Sequence, residues 1–219
     1  MRFDDYGYGT VASFYEELAD LYSRGRIAAS KRSQLVHLAA GDRVLYVGVG
    51  RGEDALEAAR KGVRVTAVDL SGAMLRRLAQ RLEREGLEAD LVEADIAQLP
   101  PTAPYDAVAA NYFLNLFESR RAQQMLALLV ERVRPGGLVL CADFARPVGG
   151  RPGRWASALY YRPINWIAWL LGLCDLHPIH DYERMFEAAG LGVRQQERLP
   201  VWHRAADPAF MSIVAERAF

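Results

Sequence analysis

The sequence has little cysteine, no excess of either charge and no long apolar run. The two cysteines, Cys141 and Cys174, stand in no metal-ligand or redox spacing. They read as small buried hydrophobes in a reducing compartment, so a cytoplasmic location is expected. Lys plus Arg equals Asp plus Glu at 27 each. This balance lacks the basic surplus of a nucleic-acid binder, so no nucleic-acid partner is expected. Among the cations arginine far outnumbers lysine, a compositional habit rather than a site. The most apolar stretch, Ile164 to Leu173, is half of the ~20 residues that span a bilayer, so no transmembrane segment is expected. The opening MRFDDYGYGT has no apolar core after a basic start and does not read as a signal peptide. Repeats and low-complexity linkers are missing too.

What is present is an ordinary globular composition, 51% hydrophobic and 25% charged over 219 residues, enough for one large domain. The first forty residues read as helical, with Val11, Phe14, Tyr15, Leu18, Leu21 and Tyr22 on one face. From Gly41 the pattern alternates. RVLYVGV is a strand and EDALEAARKG a short amphipathic helix. VRVTAVDL is a second strand; SGAMLRRLAQRLEREG is a helix with Ser71 as N-cap and Gly86 as its stop. ADLVEAD and YDAVAANY follow as strands. RRAQQMLALLVERVRPGG reads as a helix ending at Pro135-Gly136-Gly137, and LVLCADF as a fifth strand. This alternation predicts an α/β domain with a parallel sheet covered by helices on both faces, and a ligand at the strand C-terminal edge. Beyond it, ARPVGGRPGR reads as a loop, and WASALYYRPINWIAWLLGL as an aromatic helical segment interrupted at Pro163. HDYERMFEAAGL reads as a helix, and GVRQQERL with MSIVAERAF as a closing antiparallel pair. The divisions are 1–40 as N-terminal helical cover, 41–145 as core, 146–180 as lid and 181–219 as C-terminal helix and strands.

Gly48, Gly50 and Gly52 open the first strand-to-helix turn in a G-x-G-x-G spacing. Bare backbone there lets a ligand approach, and the next helix aims its free N–H groups at the same place. A dinucleotide fingerprint needs a third glycine where this chain has Glu53, and Glu53 with Asp54 would repel a pyrophosphate. The spacing instead resembles the first motif of class I S-adenosylmethionine-dependent methyltransferases. Four later segments fall in the order that resemblance requires: VTAVDLSGAML, EADIAQLP, YDAVAANYFLNLF and RVRPGGLVLCADF. It covers roughly residues 42–144. The resemblance implies S-adenosylmethionine as cofactor. It implies Asp69 as acceptor for the ribose hydroxyls, and Asp95 and Ile96 at the adenine. Tyr46, Gly48, Gly50, Gly52, Glu53, Leu70, Met74 and Asn111 are implied as the remaining cofactor neighbours. It also implies a Rossmann-like, mostly parallel seven-stranded sheet under an aromatic helical cover. The opening helices are loosely similar to the cover of ubiquinone and menaquinone biosynthesis methyltransferases.

The family usually has an acid at the position held by Tyr46. Three explanations stand open: Glu53 or Asp54 supplies the charge, the Tyr46 hydroxyl acts as a neutral partner, or the cofactor site is degenerate. Retention of Asp69 and Asp95 argues against degeneracy. The resemblance implies a small, partly apolar methyl acceptor, received at O, N or C near Asn111, Tyr112 and Phe113. The Asn-Pro-Pro-Tyr motif of nucleic-acid amino methyltransferases is missing. Tyr112, His177 and His180 are the candidate catalytic residues, with Asp181 and Tyr182 beside the histidines. Histidine suits proton transfer near neutral pH, although His180 reads more readily as a loop contact or an N-terminal cap than as a catalyst. Two histidines alone supply too few ligands for a metal, and none is expected. His37 and His203 read as structural. The stretch from Trp155 to Leu173 holds three tryptophans and two tyrosines, which pack on the sheet, wall the acceptor pocket or rest on a membrane surface. Arg146, Arg151, Arg154 and Arg162 flank it, either fixing an acceptor anion or as solvated surface. Transfer of a group other than methyl, and a non-catalytic binding role, are the alternatives. The oligomeric state is not legible.

Overall fold

The computed structural model describes residues 22–100, 103–148, 150–170, 172, 174–202 and 207–218. The apolar helical face expected at Val11 to Leu21, and His203, lie outside the described residues. Seven strands form one sheet: β1 (Arg43–Val47), β2 (Arg64–Asp69), β3 (Asp90–Glu93), β4 (Tyr105–Ala109), β5 (Val133–Phe144), β6 (Leu191–Pro200) and β7 (Ala209–Arg217). Their order is β3-β2-β1-β4-β5-β7-β6. The first five are mutually parallel, while β7 runs antiparallel between β5 and β6. The expected mostly parallel, seven-stranded Rossmann-like sheet is therefore present, with its closing antiparallel pair. Strand order reverses between β1 and β4, and their C-terminal ends open the crevice where ligands bind in such sheets.

Alternation along β1 assigns its side chains to two faces. Val44 and Tyr46 pack with α2 (Glu53–Arg60) and α3 (Gly72–Arg84) through Ala55, Leu56, Leu75 and Leu78. Leu45 and Val47 face the other layer, built from α4 (Ser119–Glu131) and α6 (Tyr182–Ala188) through Leu126, Leu129, Met185 and Phe186. A short helix, α1 (Arg26–Arg32), lies against β5, β6 and β7. Ser71 caps α3 as expected, its side chain accepting from the Met74 N–H at 3.4 Å.

Two expectations are corrected. The helix expected to run to Gly137 ends at Glu131, and Val133 to Gly137 open β5. Tyr105 donates its N–H to the Arg132 carbonyl at 2.8 Å, so the edge of β4 captures the chain before Pro135. The register then slips between Val133 and Leu138, a bulge that absorbs Pro135 and Gly136. The aromatic segment is one unbroken helix, α5 (Gly150–Leu170), running through Pro163 and taking in GRPGR, the expected loop. Pro163 and Leu159, four residues earlier, are both exposed, so water can serve the carbonyl that loses its N–H partner. The buried stripe of α5 is Gly153, Ser157, Tyr161, Ile164 and Ala168. Trp155, Leu159, Trp166 and Leu170 are exposed, so most of the expected aromatic cover faces outward. No helix among the described residues is long and apolar enough to cross a membrane.

Candidate active site

Three glycines with positive φ carry the chain from β1 into α2, at 63° for Gly48, 52° for Gly50 and 68° for Gly52. Gly48 also accommodates a neighbour: a Cβ there would meet Phe113 Cδ2 at 2.7 Å. Gly52 plays a packing role, since its Cβ would lie 2.8 Å from Leu78 Cδ1. Asp69, at the end of β2, braces this loop. Its Oδ2 accepts the Gly50 N–H at 3.0 Å and its Oδ1 the Ser71 N–H at 2.8 Å. Burial raises the Asp69 carboxyl above its ordinary range, and hydrogen bonds from backbone N–H groups oppose the rise. Each oxygen keeps a lone pair beyond its backbone donor.

In front of the loop lies a cavity of about 350 Å³. Gly48, Gly50, Glu53, Asp69, Leu70 and Met74 line one end. Asp95 and Ile96 form the wall after β3, where Asp95 Oδ1 accepts the Ala97 N–H at 2.9 Å and Ile96 is buried. The far end is apolar and aromatic, from Phe113, Leu116, Phe117 and Phe144, and is roofed by α5 and the strap 174–180. The volume and mixed lining are those of a small-molecule site.

Residues 44–137 match the family model described as "Methyltransferase domain". That stretch is similar to a methyltransferase domain. An uncharacterized Mycobacterium tuberculosis protein is 34% identical over 156 residues, 71% of this chain and 54% of its own length. The chain thus spans about half of that curated relative. The 27-O-demethylrifamycin SV methyltransferase of Amycolatopsis mediterranei is 27% identical over 201 residues, covering 88% of this chain and 71% of that one. Among solved structures, the 1,6-didemethyltoxoflavin-N1-methyltransferase of Burkholderia thailandensis superposes with a TM-score of 0.66 at 19% identity, covering 100% of this chain and 92% of that one. The [4+2]-cyclase SpnF also shares the fold, with a TM-score of 0.61 at 19% identity over 92% and 80% of the two chains.

Not every residue expected around the cofactor lies on the wall of the cavity. Tyr46, Gly52 and Asn111 are behind it. Tyr46 is buried on the α2–α3 face, where burial pushes its hydroxyl well up, with Asp54 and Glu57 adding to the rise. Asn111 is the centre of a buried network. Its Nδ2 donates to Asp54 Oδ2 at 2.8 Å, and its Oδ1 accepts from Gln34 Nε2 at 3.0 Å and the Ala142 N–H at 2.8 Å. Lys31 on α1 reaches the other Asp54 oxygen at 3.6 Å and also lines the cavity. Glu53 remains on the wall, paired with Arg51 at 3.0 Å. Lys31 and Gln34 were missed because they lie far from the loop in sequence, among residues read only as helical cover.

The three candidate catalytic residues all line the cavity, yet their polar atoms are engaged. Tyr112 sits in the left-handed region at φ 54°, and its hydroxyl meets Ser30 Oγ at 2.9 Å. Burial pushes that hydroxyl well up. His180 is buried. Its Nε2 faces the Leu114 and Phe117 carbonyls at 3.3 and 3.0 Å and its Nδ1 the Ser119 hydroxyl at 3.4 Å. Burial, with His177 adding, lowers its proton affinity. Those carbonyls require the N–H on Nε2 of the neutral ring. His177 stacks on His180 at 4.3 Å, with the Asn115 carbonyl 2.9 Å from Nε2 and the Pro178 carbonyl 2.8 Å from Nδ1. The two rings fasten the strap to the turn after β4. The cap of α6 is Asp181, which also pairs with Arg146, while Arg151, Arg154 and Arg162 are exposed.

A residue the sequence reading passed over is Asp143, near the end of β5. It is buried, lines the cavity, and its Oδ1 accepts the Phe144 N–H at 2.8 Å. Burial lifts its carboxyl to about 7, against opposing hydrogen bonds from Tyr182 and the backbone of Phe144 and Asn115. The only sequence signal was an acid closing a strand at the ligand edge.

Proposed function

We propose that the chain is an S-adenosylmethionine-dependent methyltransferase acting on a small, partly apolar acceptor. One observation carries the reading: a single cavity has Asp69 and the glycine loop at one end and an aromatic chamber at the other. The residues fit that cofactor. Asp69 keeps lone pairs for a diol, Asp95 and Ile96 offer a polar edge and an apolar face to a base, and Gly48 and Gly50 present backbone without Cβ atoms. Lys31, Arg51 and Arg121 are the cations on the wall, Lys31 beside Asp54 and Arg51 beside Glu53, the wall carboxylate nearest the helix start. When bound, the cofactor supplies a methyl group on a sulfonium, an electrophile with a neutral leaving group.

The chain's own contribution is alignment and exclusion of water. Phe113, Phe117 and Phe144 hold a flat acceptor, and the strap 174–180, stitched to the turn at 114–119, closes the chamber. That relatives act on rifamycin and toxoflavin precursors supports a small-molecule acceptor here. The cyclase on the same fold favours a second reading, in which the chamber promotes a different reaction. Calorimetry with S-adenosylhomocysteine tests the cofactor; no heat and no thermal shift would refute the proposal. Product mass separates the readings, since methylation adds one methyl and cyclisation adds nothing.

A further inference from the structure

We propose that the outward face of α5 is a docking surface for an anionic lipid bilayer, with its tryptophans in the headgroup layer and its arginines on lipid phosphates. This surface is independent of the reaction proposed above. α5 is apolar on two sides. Its inner side meets Phe144 of β5 and Phe210 of β7 through Tyr161, and lines the cavity through Asn165 and Ala168. Its outer side carries Trp155, Leu159, Trp166 and Leu170, which are 58–80% exposed. Their spacing puts all four on one stripe, opposite the buried one. Large apolar side chains in water along about four helical turns form a continuous patch, which marks a protein or membrane contact.

Charge decides between these. The whole chain is balanced, but residues 144–174 hold four arginines and no acid or lysine. Arg146 pairs with Asp181. Arg151, Arg154 and Arg162 are exposed and pair with no carboxylate among the described residues. Arg151 and Arg162 repeat the spacing of Trp155 and Trp166, so they run in line along one flank of the apolar stripe. Arginine beside tryptophan and leucine is the composition of a helix lying in a bilayer interface. Tryptophan settles at headgroup level, and an arginine stem lies on apolar surface while its fork reaches a phosphate. Because the sheet holds its inner side, α5 lies along the bilayer surface and not across it. A second copy suits the face poorly. A two-fold contact would bring these arginines against their own counterparts, with no acid in residues 144–174 to answer them.

The test is co-sedimentation of the full chain with vesicles of phosphatidylcholine alone, and of phosphatidylcholine with about 30% phosphatidylglycerol. The protein should bind the anionic vesicles about tenfold more tightly or better, and raising NaCl from about 0.1 to about 0.5 M should weaken that binding. Trp155→Ser combined with Trp166→Ser should weaken it by about tenfold or more. Arg151→Gln, Arg154→Gln and Arg162→Gln together should reduce the preference for anionic vesicles to within about threefold. All these positions are exposed, so both variants should melt with wild type. One measurement needs no variant. Three of the four tryptophans are exposed on α5, so brominated phosphatidylcholine in the anionic vesicles should quench most of the tryptophan emission. No sedimentation with anionic vesicles, equal binding to the two compositions, or unquenched emission overturns the assignment. So does binding that survives loss of both tryptophans. A wild type that runs as a dimer, with the tryptophan variant a monomer, gives this face to a second copy and overturns it too.

Discussion

Replacing Asp69 by Ala separates two functions that this carboxylate combines. One is internal. Its oxygens accept N–H groups from Gly50 and Ser71 at 3.0 and 2.8 Å, and losing both should cost about 1 kcal/mol each. In a chain of this size that lowers Tm by roughly 4–8 °C. The other is the proposed contact with the ribose. Two hydrogen bonds to a charged acceptor are worth about 1.5–3 kcal/mol each before water takes the vacated space. Allowing half to be recovered, S-adenosylhomocysteine affinity should fall roughly 10- to 150-fold. Calorimetry well below the variant's Tm reads the second effect apart from the first. A cycle with the 2′-deoxy analogue isolates it: wild type should discriminate against the analogue, and Asp69→Ala should not. Affinity within threefold of wild type, or discrimination that survives in the variant, would refute the assignment of Asp69 to the ribose.

Gly52→Ala should unfold at lower urea by about 2–4 kcal/mol, because it combines a φ of 68° with overlap on Leu78, while the folded fraction keeps its S-adenosylhomocysteine affinity. Two of the buried titrating groups, Asp143 and His180, set opposite pH slopes. Asp143 is raised from 3.8 to about 7, so between those values the unfolded chain has lost a proton the native state keeps. Its contribution is therefore present at low pH and lost as pH rises towards about 7, on the order of 4 kcal/mol in all. Asp143→Asn should flatten that slope in urea unfolding followed from about pH 4 to about pH 8. His180 is lowered from 6.5, so stability falls on acidification below that value as the unfolded chain takes up a proton first, and His180→Gln should remove that loss.

The sheet was legible because its signals are local. Apolar runs bounded by glycine, with a cap at Ser71 and a stop at Gly86, repeat strand by strand and need no distant partner. Misplaced boundaries lie where a tertiary contact overrides the local pattern. The edge of β4 draws Val133 to Gly137 into β5, and solvent on the outer side of α5 tolerates Pro163. The glycine loop, Asp69, Asp95 and Ile96 sit together as their order in the chain suggested. Asp143 was invisible as a site residue, since its burial depends on α5 and α6, well downstream. The histidines were legible as polar residues of the lid, but the carbonyls that occupy them belong to a turn some sixty residues earlier.

Tyr46 becomes intelligible once its face is known. Alternation on β1 turns it towards α2, beside Asp54 and Glu57, while Val47 and Gly48 meet the cavity. An acid at position 46 would bring another carboxylate beside Asp54, which is only 6% exposed and already draws on Lys31 and Asn111. Like charges in so dry a place disfavour joint ionisation. A tyrosine fills the volume, keeps its proton and leaves Asp54 as the anion of this layer. The anion has moved from the strand to the first turn of α2, where the free N–H groups of the helix start favour it. From there it is tied through Asn111 to the backbone of Ala142 on β5, one residue before Asp143. The first turn of α2 and the end of β5 are thus one connected structure. Of the two carboxylates offered in place of an acid at Tyr46, Asp54 is the buried one, held by Lys31 and Asn111, and Glu53 the one on the cavity wall.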